Sequence, residues 1–366
     1  MTEGIVFVHF CRLGGRLLAH QKAMLAADAK AIAQIKGFEF GGTYNENTRH
    51  AARIYLVPED TLLVDEARNL GIVSQEDFYG GVVPYPFVST KAITHELITR
   101  DAARPEGWSS SFVEQVRDVV LPGYTVFSKK DARAAAGRMF QGGDIRMKPT
   151  LVADGRGQTV VTNGDDLELF LEYLTDEDVA NFGIVLEEPL WKVTTRSVGQ
   201  IVIDGFTVSY HGTQRRTVDN EGQRIYGGSD LICARGGWNA LQAITSSHDI
   251  EVAITQARVY DEAMSAYPGF MASRRNYDVA QGIDRAGKFH SGVLESSWRA
   301  GGATGAEVVA LRRLRDEPSL QTIEVAHIEE FGENVTAPAG AVVQYEGTDP
   351  NAGPVLRYTI IKDAIA

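Results

Sequence analysis

Cysteine is nearly absent from this 366-residue chain: Cys11 and Cys233 are the only two, far apart and in no metal-type spacing. That scarcity argues against a disulfide framework, and a reducing, cytoplasmic compartment is the expectation. Long apolar runs are missing too. No stretch approaches the roughly 20 apolar residues that a membrane span needs, so no membrane partner is expected. Residues 1–10 have no basic start before their short apolar run, and His9 interrupts it, so they read as a first strand and not as a signal peptide. Positive charge is in deficit. There are 36 Lys and Arg against 48 Asp and Glu, for a formal net charge of −12. A nucleic-acid binder shows a basic excess, so that class is set aside. Local clusters such as Arg215–Arg216 and Arg274–Arg275 still leave room for a small anion. There is no Gly-x-Ser-x-Gly elbow, no His-rich metal spacing, no internal repeat and no low-complexity tract. The histidines are scattered and receive no role. The sequon at Asn334 carries no meaning in a cytoplasmic protein.

What is present is a soluble composition, 44% hydrophobic and 23% charged, in a chain long enough for two or three subdomains. Residues 4–10 read as a strand, and residues 16–36 as a helix with Leu17, Leu18, Met24, Leu25, Ile32 and Ile35 on one face and Gly37 as its stop. A strand at 54–57 and a helix at 60–70 follow, so residues 1–90 form an open α/β lobe. Gly80, Gly81, Pro84 and Pro86 mark a boundary. Residues 91–190 then alternate as an α+β lobe. A helix at 109–120 is capped from Ser109–Ser111, and strands at 124–127, 144–149, 158–161 and 183–188 enclose helices at 129–140 and 165–174. Residues 191–366 carry a hairpin, 194–203 with 206–211, turning at Asp204-Gly205. One good helix near 250–266, a second hairpin, 277–281 with 289–294, and a strand-rich tail complete the chain.

Three clusters carry chemistry. Lys148 ends a strand and is followed by Gly155-Arg156-Gly157. Bare N–H groups of such a loop cradle phosphate and a neighbouring lysine adds a point charge, although a tight hairpin with a surface lysine reads equally well. An apolar strand ends in Glu187-Glu188-Pro189-Leu190, a connector whose backbone can meet an adenine edge, or simply a strand ending in solvated acids. Asp278 and Glu295 sit on strands that a hairpin places side by side. Two carboxylates on one face repel unless a cation bridges them, and magnesium takes carboxylate and phosphate oxygens. Arg299 follows where a cation meets a transferring phosphate. Gly301–Gly305 forms another N–H-rich loop, whose Gly302 and Thr304 are candidates for substrate contact. Arg215 and Arg275, in polar segments, are candidates for the γ-phosphate or an acceptor carboxylate. Residues 282–289 mimic most of a phosphate loop but end in Phe289 inside a hairpin, and are discounted.

Lysine after a strand, glycine loop, acidic connector, aspartate and Glu295-x-Ser297-x-Arg299-x-Gly301-Gly302, in that order, resemble the ATP-grasp superfamily. Thr90-Lys91, Leu121–Thr125 and residues 128–132 extend the resemblance, which spans residues 88–310. The whole chain is also similar to an uncharacterised bacterial ATP-grasp-like family with no assigned substrate. The resemblance implies an ATP-grasp fold, with two α+β lobes clasping nucleotide beside the N-terminal lobe. It implies ATP and Mg2+, with Lys91 and Lys148 on phosphates and Gly155, Arg156 and Gly157 as a mobile lid. Glu187, Glu188 and Leu190 would hold adenine, and Asp278, Glu295 and Ser297 the metal. Lys148, Arg299 and Arg215 would be catalytic. Ser297 stands where the family has asparagine, and Thr194–Arg196 stand where it often has a ribose-binding glutamate. The implied activity is an ADP-forming ligase that joins a small-molecule carboxylate to an amine or thiol through an acyl phosphate. A small-molecule kinase and a non-catalytic ATP-binding protein are the alternatives. Assembly stays open, a homodimer included.

Overall fold

The computed structural model describes residues 3–10, 17–150, 157–245 and 247–365. In the N-terminal lobe, strand Gly4–His9 lies between Glu39–Thr43 and Arg53–Pro58 in a parallel sheet. Helix Ala19–Lys36 packs on it and stops at Gly37, whose φ of 68° is the left-handed conformation glycine adopts without strain. The helix expected at 60–70 is shorter, Val64–Asn69, because Leu62–Leu63 leave as a strand that pairs with Gly81–Val83. Gly81–Val83 in turn pairs with Met271–Ala272, 190 residues away, so strand pairing sews this lobe to the C-terminal one.

The middle lobe is an antiparallel sheet ordered Gly123–Val126, Ile184–Glu187, Ile145–Pro149, Thr159–Val161. Helices Lys129–Met139 and Gly164–Glu172 cover one face over Met147, Leu186, Ala136 and Leu171. Ser109, Ser128 and Asn163 cap their helices through backbone N–H bonds to Phe112, Asp131 and Asp166. Helix Asp176–Phe182, with Thr175 as cap, escaped the sequence reading because it is only seven residues long.

The C-terminal lobe is an eight-stranded antiparallel sheet. Its order is Phe289–Ser297, Arg274–Ile283, Trp191–Ile203, Phe206–Val218, Arg224–Arg235, Thr322–Phe331, Gly353–Ile365, Val342–Asp349. Both expected hairpins are present, and Asp204 (φ 51°) and Gly205 (φ 71°) make the turn of the first. Residues 283–289 turn between paired strands, not between strand and helix, which bears out their dismissal as a phosphate loop. Helix His248–Ser265 covers one face of the sheet. The other face packs on a second long helix, Thr304–Asp316, where the sequence reading ended in a flexible loop at 301–305. That expectation is corrected: Thr304 and Gly305 open the helix. A Cβ on Gly305 would lie 2.5 Å from Gln344 and 3.0 Å from His327, so close packing and not flexibility requires glycine there. The same core takes in Val6, Val8 and Tyr55, so the first lobe is continuous with this one.

A buried ion pair fixes the junction. Arg274 donates from Nε and Nη2 to the two oxygens of Glu307 at 2.9 and 2.7 Å. Tyr79 Oη (2.5 Å) and Tyr210 Oη (2.6 Å) complete the carboxylate. Burial alone would push the Glu307 carboxyl up, but Arg274 and the two hydroxyls hold it below the usual range. Arg274 Nη1 also donates to the carbonyls of Arg299 (2.6 Å) and Ser297 (3.1 Å), anchoring the loop after the outermost strand. Glu307→Gln leaves a buried guanidinium uncompensated and should cost about 3–5 kcal/mol of stability in denaturant titration, while pairing it with Arg274→Met should restore part of the loss. A double variant no better than the single one would contradict this account.

Candidate active site

In the middle lobe the face opposite the helices carries charge. Met147 and Leu186 enter the helix-covered core, so strand alternation puts Lys148 and Glu187 on the other face. There Lys148 Nζ pairs with Glu187 Oε2, both side chains at most 5% exposed. His95 Nε2 lies 2.9 Å from the other Glu187 oxygen. Burial would raise the Glu187 carboxyl, but Lys148 and His95 together hold it at about 2.

The large sheet supplies the acids. Tyr277 and Val279 point into the core under helix His248–Ser265, so Asn276 and Asp278 face the other way. Asp278 is the register partner of Glu295, and Asn276 of Ser297, with a bulge just beyond at Leu294. Asp278 accepts from Gln214 (2.9 Å), Asn276 (3.0 Å) and Ser197 (3.2 Å). Burial first, and the Glu295 charge second, push its carboxyl up to about 6 against those three bonds. Lys91 Nζ lies 2.9 Å from Glu295 Oε2.

The two clusters meet on one short segment. Lys91 and His95 are four residues apart on and just after the turn Lys91–Ile93, and that turn lies against Ile184–Glu187 on one side and Phe289–Ser297 on the other. Lys148, Glu187, His95, Lys91, Glu295 and Asp278 therefore form a connected charged series. Beside it, Leu121, Leu190, Ala280 and Leu294 make a small apolar cluster that joins the connector to the strands bearing the acids.

The other expected residues are placed as follows. Ser297 Oγ sits 3.5 Å from Arg274 Nη1 on the face shared with Glu295. Arg299, partly exposed, reaches Asp60 at 3.9 Å. Gly302 lies under the Tyr226 ring, 2.4 Å from where its Cβ would stand, and Thr304 Oγ1 accepts from Gly301 N–H. Glu188 donates its N–H to Pro122 and lines a separate cavity, described below. Gly157 (φ 68°) is described, whereas Gly155, Arg156 and Cys11 lie outside the described residues. Two arginines are not brought to the acids. Arg215 makes a bidentate pair with Asp230 at 2.5 and 2.8 Å, on the face opposite Gln214. Arg275 turns to Asp261 of helix His248–Ser265, 3.2 Å away. Cys233 is buried, with its thiol pushed up by burial, and is a core residue.

Sequence reasoning missed His95, Gln214, Ser197 and the role of Asn276. The Asn276-x-Asp278 alternation was a usable signal for the last. His95 has no local signal, since it meets Glu187 across 92 residues.

No cluster of three or more His, Cys, Asp or Glu side chains able to hold a metal occurs among the described residues. Two adjacent carboxylates, one of them short of compensating charge, fit a cation that draws its remaining oxygens from phosphate and water.

The fold places the chain in a class: it has the ATP-grasp fold. It overlays on biotin carboxylase from Campylobacter jejuni crystallised with an ATP analogue, at a TM-score of 0.52 and 12% identity over 99% of this chain and 88% of that one. N5-carboxyaminoimidazole synthetase from Staphylococcus aureus with ADP gives 0.51 and 11%, over 99% and 93%. The biotin carboxylase domain of Hydrogenobacter thermophilus 2-oxoglutarate carboxylase with MgADP gives 0.51 and 14%, over 99% and 86%. Within that class, the chain belongs to the family described as "Protein of unknown function (DUF3182)", whose model matches residues 12–359. No curated protein matches it. No helix of the described residues is long and apolar enough to cross a membrane.

Because the folded-state pKa of Glu187 lies below its ordinary 4.5, its pairing stabilises the protein above that pH and the contribution is lost as pH falls towards about 2. Wild type should lose about 3 kcal/mol more than Glu187→Gln between about pH 5 and about pH 2, read by denaturant midpoints. Equal slopes for the two proteins would remove the Glu187 pairing from the account.

Proposed function

We propose that the chain is an ATP- and magnesium-dependent ligase that activates a small-molecule carboxylate as an acyl phosphate and transfers the acyl group to an amine or thiol. The observation that supports this reading is the five-residue segment Lys91–His95, which pairs one buried lysine with Glu295, the register partner of Asp278, and through His95 meets Glu187, the partner of a second buried lysine, Lys148. The fold alone does not name an activity, and the solved structures it resembles support the class by analogy.

In this reading Lys91 and Lys148 bind the phosphates. Asp278 and Glu295 hold magnesium, with Ser297 beside them, and the metal neutralises developing charge when bound. Leu190 and its apolar neighbours Leu121, Ala280 and Leu294 receive adenine, with the Glu187–Glu188 backbone at its edge. Gly155–Gly157 act as the lid that excludes water, which an acyl phosphate does not survive. An oxygen of the substrate carboxylate attacks the γ-phosphorus as the bond to the bridging oxygen breaks, giving acyl phosphate and ADP. The amine then attacks the acyl carbon, phosphate leaves, and the amine loses its proton. The first step needs little proton transfer, so positioning and charge neutralisation by the lysines and Arg299 supply most of the acceleration. Gly302 and Thr304 border the substrate. Arg215 and Arg275, engaged with Asp230 and Asp261, take no part in the reading.

The test is ADP release from purified protein with ATP, magnesium and a library of carboxylates and amines, with hydroxylamine added to trap an acyl phosphate. Turnover should require the carboxylate, and Lys148→Ala and Asp278→Asn should each lower it by about 10²–10³-fold. A product that keeps the phosphate on a hydroxyl would make the protein a kinase. Tight ATP binding with no turnover on any pair would make it a non-catalytic binder.

A further inference from the structure

A cavity of about 530 Å³ lies at the connector, beside the proposed nucleotide residues: Leu121 and Glu188 border both, but Lys91, Lys148, Asp278 and Glu295 do not line it. Its size is that of a small-molecule site. Val113, Val120, Leu121 and Met139 give it an apolar floor. Asp144, Glu188 and Arg285 also line it, and none of the three has a side-chain hydrogen bond or ion pair among the described residues. Uncommitted charges of both signs around an apolar floor match a zwitterion with an apolar side chain, since each charged end of the ligand meets its opposite while the side chain leaves water.

Two features tie the cavity to the nucleotide cleft. His95 lines it while its ring bonds Glu187, the partner of Lys148. Its walls also come from both lobes, Tyr124 and Met139 from the middle one and Arg285 from the hairpin of the large sheet. Just past the connector, near the start of strand Trp191–Ile203, Lys192 has a φ of 53°, a left-handed conformation uncommon outside glycine. A change in the angle between the lobes changes the cavity, so a ligand that prefers one shape shifts the lobes.

We propose that this cavity is a second binding site, for a free α-amino acid with an apolar side chain, and that His95 passes its occupancy to the Glu187–Lys148 pair. The binding stands without the nucleotide reading of the cleft; the transmission rests on it.

The experiment is calorimetric titration of the full chain with L-leucine and L-phenylalanine, first without nucleotide. Saturable binding is expected, weakened about tenfold by Arg285→Ala on the exposed rim and by the space-filling Val113→Trp. Neither substitution touches the nucleotide residues, so affinity for a non-hydrolysable ATP analogue should be unchanged in both. Saturating L-leucine should change the affinity for that analogue about fivefold in wild type, and the change should vanish in His95→Gln. The amino acid should be recovered intact after incubation with ATP. Absence of binding, binding indifferent to Arg285→Ala, strict competition with the ATP analogue, or consumption of the amino acid would each overturn the site. Binding with no effect on nucleotide affinity would overturn the transmission. Amino-acid binding by a protein that binds no nucleotide would keep this site and remove the ligase reading instead.

Discussion

A carboxylate and a guanidinium buried together carry a desolvation cost that only complete hydrogen bonding offsets, and the Glu307–Arg274 pair meets that condition with Tyr79 and Tyr210. Its four members come from the N-terminal lobe, two strands of the large sheet and helix Thr304–Asp316. Because displacing any of them leaves a buried charge unpaired or short of a hydrogen bond, the cluster fixes the relation between those elements. It also fixes the approach to the site. Arg274 holds the carbonyls of Ser297 and Arg299, and Tyr210 Oη lies 3.0 Å from Asn276 Oδ1, whose amide nitrogen donates to Asp278. The acid pair thus rests on a polar scaffold that reaches the centre of the molecule.

On the other side stands a middle lobe that meets this one through the connector, the segment Lys91–His95 and the helix Ser110–Val116, which packs on His248–Ser265. Both buried lysines are paired with carboxylates, Lys91 with Glu295 and Lys148 with Glu187. Such pairing compensates the buried ammonium groups and holds them where a polyanion would find them. Under the proposed function, phosphate would take Glu295's place beside Lys91, and a cation Lys91's place beside Glu295. The cavity behind the connector meets the same series at His95. A lobe-closing enzyme would in that way have a point at which its closure is read from outside the reacting cleft.

Much of the fold was legible because it is written in local pattern. Asp204-Gly205 demanded a primed hairpin turn, Gly37 a helix stop, and Ser109 and Ser128 were caps in waiting. The order of Lys148, Glu187, Asp278 and Glu295 along the chain, set beside a known family, brought out the candidate site. The helix at 304–316 was hidden by the glycines before it, for a glycine chosen for close packing looks the same in sequence as one chosen for freedom. Val64–Asn69 was shortened by a strand pairing with Gly81–Val83 that no local signal announces. Arg215 and Arg275 looked like ligands for an anion because each sits in a pair of adjacent arginines with no acid beside it in sequence; Asp230 and Asp261 reach them only after folding.

Periodicity, capping and turn chemistry are properties of neighbouring residues, so the sequence by itself determined most of the elements, their order and the acid pair's place on adjoining strands. Which side chains finally touch depends on contacts between residues tens to hundreds of positions apart. Only the tertiary structure therefore decided that His95 joins Glu187, that Lys91 joins Glu295, and that Glu307 secures the junction on which both depend.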